Sequence, residues 1–463
     1  MMKKIISLLL LTILLIPVMT MASERLPKPE KMVLGNGLTV YFLKNPELPL
    51  VSFRVLIPGA GSAFEPRGSD GLANLTATLL LKGTAKMSAE EIAEALDFMG
   101  ARLRVADAEE YAAVYGESLS EHLPKLLQIA ADCLISPAFK QDEYQKELAR
   151  KTDSLKSLKD NPGSALRLYF RKAYFGEHPF GNLSTGTDSS LKKMSLEEIK
   201  KFYSARYRPD TSIIAVVGNI DKEPLLELLN KTIGQWPKPA AAPLPVIIPP
   251  IPAPKGKKLI LVDKPDATQS YFSLGSRGLA VADQMSARAS LMNILFGGRF
   301  TSWLNTELRI KRGLTYGASS SFQSWKNGGI FLASSYTKND KIGEMLDITF
   351  DLLKKAREKG FSEEEAESAR NYLLGQFPQT LETNSSKAGA YLRIIFYDLG
   401  FDYYDRYLNE ITGARARDLN QAAAKLLPDK DFVLVVVGKG DEVKKILSRY
   451  GQFQEKKITD PDF

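Results

Sequence analysis

RPDTSIIAVVGNIDKEPLLELLNKTIGQW, residues 208–236, holds a short apolar run, a glycine, and then leucines that recur at helical spacing. An apolar run of this length between turn residues reads as a strand buried on both faces, and the 3.6-residue recurrence reads as an amphipathic helix packed beside it. The same order returns as LPDKDFVLVVVGKGDEVKKILSRYGQ, residues 427–452. A strand, turn and helix written twice indicate a duplicated chain. Between the copies lies PKPAAAPLPVIIPPIPAPKGKK, residues 237–258, where proline recurs too often for a helix or an interior strand, so a semi-rigid extended linker is expected.

Each half also opens on strands. MVLGNGLTVYFLKN (32–45) is divided by Asn36–Gly37, a pair suited to a hairpin turn, and LVSFRVLIPG (50–59) follows; the second half offers KKLILVDKPDATQSYFSLGSRG (257–278). Helical stretches come next in both, among them DEYQKELARKTDSLKSL (142–158) and EEEAESARNYLLGQF (363–377). The mixture predicts an α+β fold of two similar domains, residues 27–236 and 259–452, each a mostly antiparallel sheet covered by helices on one face.

Composition agrees with two cores. The chain has 463 residues, 44% hydrophobic and 25% charged, more than one ordinary core accommodates. Its 62 basic residues exceed the 54 acidic ones by 8, and no basic run is interleaved with aromatics, so a mixed solvated surface is expected and nucleic acid is not a partner. MMKKIISLLLLTILLIPVMTMAS (1–23) joins lysines to an apolar stretch ending in small residues, which predicts a secretory signal peptide over residues 1–22. The mature protein is then expected in the periplasm without a stable membrane anchor, and Ser23 after the cleavage site offers no thiol for a lipid. Cys133 is the one cysteine, so no intramolecular disulfide forms, and its apolar neighbours mark it as a buried small hydrophobe. His122 and His178 are too far apart to make a helical ligand pair.

One helix carries a polar face with an odd composition. In GLANLTATLLLKGT (71–84), Leu72, Leu75 and Leu79 make an anchoring face, while Asn74, Ala77 and Thr78 share another. End to end, the mature chain resembles the pitrilysin or insulinase-type zinc peptidases, family M16. The resemblance runs through the NGL hairpin, GLANLTATLLLKGT, FGEHPFG (175–181), FYSARYRPDTSIIAVVG (202–218), QSYFSLG (269–275) and NILFGGRFTSWLNTELRIKRGLTYG (293–317). Active members carry the inverted zinc motif His-x-x-Glu-His on the first-domain helix and a further Glu on a later helix. By that resemblance the motif positions here are Asn74, Ala77 and Thr78, and the later Glu falls on Ser154. Every ligand and the catalytic base are thus replaced, and no metal is expected on this chain.

The second half keeps more. The resemblance implies that Arg309 and Tyr316, in LRIKRGLTYG (308–317), are the Arg and Tyr that active members reach toward the substrate. A guanidinium can fork onto a peptide carbonyl or carboxylate, and a phenol can donate to a developing oxyanion. The chain departs from the family at Ser302–Trp303–Leu304, where a Ser-Arg-Leu run is common, and at Ile310, where a Glu is common. The expectation is one half of a two-chain peptidase. A homologous M16 partner would supply the zinc, this chain would supply Arg309 and Tyr316, and an extended peptide would be the substrate. A catalytically inert scaffold and a periplasmic peptide-binding protein are the alternatives.

Overall fold

Both apolar runs quoted above become interior strands. A computed structural model describes residues 26–463, and the signal peptide expected over residues 1–22 lies outside the described residues. The first sheet is built from β1 (Glu30–Val33), β2 (Thr39–Lys44), β3 (Leu50–Pro58), β4 (Arg102–Asp107), β5 (Tyr111–Leu119) and β6 (Ile213–Gly218), in the spatial order β1-β2-β6-β3-β5-β4. The second takes β7 (Lys257–Asp263), β8 (Gln269–Arg277), β9 (Ala318–Trp325), β10 (Gly328–Lys338), β11 (Phe432–Gly438) and β12 (Phe453–Lys457), in the order β12-β7-β11-β8-β10-β9. The late strand of each half, β6 or β11, slots between the first long strands of its own half, so the topology repeats with the sequence. Only β2–β6, β7–β11 and β7–β12 are parallel; the remaining neighbours run antiparallel.

Local chemistry explains the element ends. Asn36 accepts from the Leu38 N–H in the β1–β2 turn, and its amide reaches the Ile233 and Trp236 carbonyls, tying the hairpin to the end of the first repeat. Ser88, Ser195 and Ser362 each open a helix in a reciprocal capping box with a Glu three residues on. Among the described residues no helix is long and apolar enough to cross a membrane.

The two halves exchange helices. The helix Pro162–Phe175 from the first half packs on β8 and β11 of the second sheet, and the helix Asn384–Phe396 from the second half packs on β3 and β6 of the first. Strand alternation serves both sides: Val55, Ile57, Ile214 and Val216 face the main core, while Leu56, Ala215 and Val217 meet Ala388, Tyr391 and Leu392 of the visiting helix. Close approach needs glycine. A β-carbon at Gly275 would come within 2.3 Å of the Phe170 ring, and one at Gly389 within 2.3 Å of the Arg54 guanidinium.

The proline-rich segment is pinned rather than loose. Asn327 donates to the Ile248 carbonyl at 2.6 Å, and His178 Nε2–H donates to the Pro249 carbonyl at 3.0 Å while its Nδ1 accepts from the Phe180 N–H. That pair of bonds requires neutral imidazole, and burial pulls the His178 pKa down. A base depressed in the folded state favours folding fully above its unfolded pKa, about 6.5, and loses that contribution as pH falls through the window below. The melting temperature should therefore drop more steeply between about pH 6.5 and pH 5 in the natural protein than in His178→Gln, as read by scanning calorimetry. Equal slopes would show that His178 does not titrate with unfolding.

Candidate functional site

The helix Leu72–Leu79 starts at Gly71, whose left-handed backbone (φ 89°) turns the chain into it. Leu72, Leu75 and Leu79 are buried as its spacing demands. The other face divides. Asn74 and Thr78 line a cleft of about 290 Å³ together with Ser154 from the helix Gln141–Asp160. Ala77 does not line it and is 1% exposed. Position 77 is turned about 60° from 74 and about 100° from 78 on a 3.6-residue helix, which carries it toward the core. So the structure brings Asn74, Thr78 and Ser154 to one cleft and buries Ala77 away from it.

A residue that sequence reasoning passed over dominates this cleft. Lys151 Nζ donates to Asn74 Oδ1 and to the Ser184 carbonyl, both at 2.5 Å. Asn74 passes the contact on, since its Nδ2 donates to Asp107 Oδ1 at 2.8 Å. Thr78 is occupied locally, donating to the Asn74 carbonyl at 2.9 Å. Below lies Glu65, buried, whose Oε1 accepts the Ala73 N–H in the first helical turn at 2.8 Å. Burial pushes the Glu65 carboxyl well above the usual carboxylate range. Burial pulls the Lys151 ammonium down to about 8, while Asp107 and Glu65 pull it back up. Glu65 Oε2, Asp107 Oδ2 and the Tyr207 hydroxyl are buried with no hydrogen-bond partner among the described residues.

These residues do not fit zinc. An amide, a methyl and two hydroxyls supply neither imidazole nor carboxylate, and the amide oxygen is already taken by an ammonium. Among the described residues no group of three or more His, Cys, Asp or Glu gathers as a metal site. His122 and His178 lie elsewhere, and Cys133 is buried with its thiol pushed up to about 12 by burial.

The second half shows a different surface. Two π-helical stretches, Ile294–Gly298 and Thr306–Lys311, flank a short turn at Trp303–Asn305, a wound form that is rare and concentrated at functional sites. Trp303 is committed to packing: it lies 4.5 Å from the Phe361 ring, under the Lys355 ammonium, and donates to Glu365. Arg309, on the second π-helical stretch, stacks over the Phe300 ring at 4.7 Å. Tyr316 is 80% exposed, and Phe300 and Ile310 earlier in the same segment are exposed as well. Among the described residues Arg309 forms no ion pair and Tyr316 no hydrogen bond, and the two do not bond to each other.

A larger cleft of about 570 Å³ between the halves runs from Gly317, next to Tyr316, to Ser184 and Thr185. Those last two residues also line the Asn74 cleft. Each sheet presents an edge nearby: β4 ends at Asp107, bonded to Asn74, and β9 begins at Ala318, two residues after Tyr316.

The model of the insulinase peptidase family M16 matches residues 39–188, and that of the peptidase M16 inactive domain matches residues 193–373. An uncharacterized zinc protease of Bacillus subtilis is 24% identical over 402 residues, 87% of this chain and 96% of the relative. Another from Mycobacterium tuberculosis is 26% identical over 410 residues, 86% and 91%. The crystal structure of a peptidase M16 inactive domain from Pseudomonas fluorescens superposes with a TM-score of 0.83 at 24% identity, covering 93% of this chain and all of that one. A protease from Helicobacter pylori also gives 0.83, at 22% identity over 89% and 99%. At these identities the two structures bear on the fold.

Proposed function

The chain belongs to the M16, insulinase-type peptidase family, and from that premise we propose that it is the zinc-free subunit of a two-chain M16 metallopeptidase acting in the periplasm. A homologous partner holds the zinc; this chain contributes Arg309 and Tyr316. The observation that carries the reading is the contrast between its halves. In the first, Asn74, Ala77, Thr78 and Ser154 offer neither imidazole nor carboxylate, and in the second Tyr316 is 80% exposed and, among the described residues, unbonded. A packed aromatic would be expected to find partners within the chain.

An extended peptide fits this reading because it adds to a sheet edge through its own backbone. The edges β4 and β9 lie beside the Asn74 cleft and the Tyr316 loop respectively. Arg309 would fork onto a peptide carbonyl or side-chain carboxylate, and Tyr316 would donate to the oxygen that gains charge during attack. The stacking of Arg309 on Phe300 favours a second reading, an inert scaffold in which that arginine only packs.

The test is recovery of the pair. Affinity purification from the native periplasm should return a homologue with an intact His-x-x-Glu-His motif, identified by mass spectrometry. Mixing the two purified chains should give one peak on size exclusion and an activity on fluorogenic peptides that neither shows alone. Full activity of the partner by itself would leave this chain a scaffold.

A further inference from the structure

The place that zinc occupies in the family is filled here by a cation belonging to the chain. Lys151 precedes Ser154 by one helical turn, so both side chains leave the helix Gln141–Asp160 on one face. The lysine stem passes over Gly71, where a β-carbon would come within 2.8 Å of Lys151 Cε. Its Nζ then lies in hydrogen-bond contact with the side chain at the first zinc position and lines the same cleft as the positions at 78 and 154. We infer that the Lys151 ammonium has taken over the metal's place, holding Asn74 and through it Asp107, and that it closes the cleft to a metal ion.

Charge accounts for the exchange. Asp107 and Glu65 both bear on Lys151, and removing the ammonium would leave Asp107, whose Oδ2 is buried with no hydrogen-bond partner among the described residues, without the cation held behind Asn74, which is unfavourable. A tethered ammonium supplies the charge without requiring ligands, and the bifunctional Asn74 amide suits it: the oxygen accepts from Lys151 and the nitrogen donates to Asp107. The carboxylic acid and imidazole of an intact motif would instead compete with the ammonium for one volume. Restoring the motif alone is therefore not enough. The lysine has to leave as well.

Two versions of the mature chain decide this. Both carry Asn74→His, Ala77→Glu, Thr78→His and Ser154→Glu; one keeps Lys151 and the other adds Lys151→Met. After equilibrium dialysis against zinc, metal analysis should find one ion per chain only with Lys151→Met, with an affinity higher by about 10–100-fold, the range over which residues just behind metal ligands act. Equal zinc affinity in both versions would overturn the inference. Should these multiple variants fail to fold, as judged by circular dichroism, Lys151→Ala in the natural chain gives an independent readout. Its melting temperature should fall and should recover with added n-propylammonium chloride, which binds the folded state in place of the lost amine, but not with n-propanol. Recovery by the uncharged alcohol would show that packing and not charge is what Lys151 supplies, and an unchanged melting temperature in Lys151→Ala would show that it supplies neither; either result overturns the inference. Neither readout involves a partner or peptidase activity, so this inference and the two-chain reading fail separately.

Discussion

Tyr316→Phe should lower the turnover of the reconstituted two-chain enzyme by about 10²–10³-fold, the usual loss when one donor to a developing oxyanion is removed. The substitution deletes a hydroxyl that bonds to nothing among the described residues and keeps the ring, so assembly on size exclusion should not change. Arg309→Ala should raise KM and lower kcat together if the guanidinium both holds the peptide and polarises its carbonyl. Lysine at 309 should recover little, because a point charge lacks the planar fork. Since Arg309 also covers Phe300, Phe300→Leu is the control for lost packing and should leave kcat near that of the natural chain. Light scattering on each variant verifies the complex. If Tyr316→Phe and Arg309→Ala both keep kcat/KM within about a factor of two, a change worth less than about 0.5 kcal/mol, the scaffold reading replaces the catalytic one.

Phe170→Ala should be the most damaging single change to stability. The ring is 5% exposed, sits on the helix lent by the first half, and presses against Gly275 of β8 in the second sheet. Emptying such a site costs about 3–5 kcal/mol, from lost burial and the cavity left behind. Gly275→Ala attacks the same contact from the other side, and the overpacking should cost about 1–3 kcal/mol. Because the two residues touch, combining Gly275→Ala with Phe170→Leu should cost less than the sum of the single changes. Urea unfolding followed by tryptophan fluorescence measures the natural chain and the four variants, Phe170→Leu alone included. A Phe170→Ala loss below about 1 kcal/mol would mean that the visiting helix is not held through this ring.

The repeated strand, turn and helix could be read directly because each signal is local. An apolar run, a glycine and a helical spacing occupy fewer than thirty residues in each copy, and the Asn36–Gly37 turn is a pair of adjacent residues. The exchanged helices left no such trace. Nothing within Pro162–Phe175 or Asn384–Phe396 states which sheet it will cover, since an amphipathic helix fits any apolar face. Grouping Asn74 with Ala77 and Thr78 treated a helix face as one surface, whereas the rotation between 74 and 77 was enough to send the alanine inward. Lys151 escaped notice for a compositional reason: QDEYQKELARKTDSLKSLKD is so rich in charge that one more lysine reads as part of a solvated face. Its position three residues before Ser154 was the available signal. Arg309 and Tyr316 were legible only through resemblance, because a lone arginine and a lone tyrosine have no pattern of their own.

The exchange of helices also sets a timetable for synthesis. The first sheet has all its strands once β6 has been made at Gly218, yet the helix that covers Leu56, Ala215 and Val217 ends at Phe396. At about 5–20 residues per second, the intervening chain of roughly 180 residues takes roughly 10–35 seconds to emerge. For that interval the first half has an apolar face with no cover from its own residues. A nascent chain halted within it should bind holding chaperones and aggregate when they are depleted, whereas one halted after Phe396 should not.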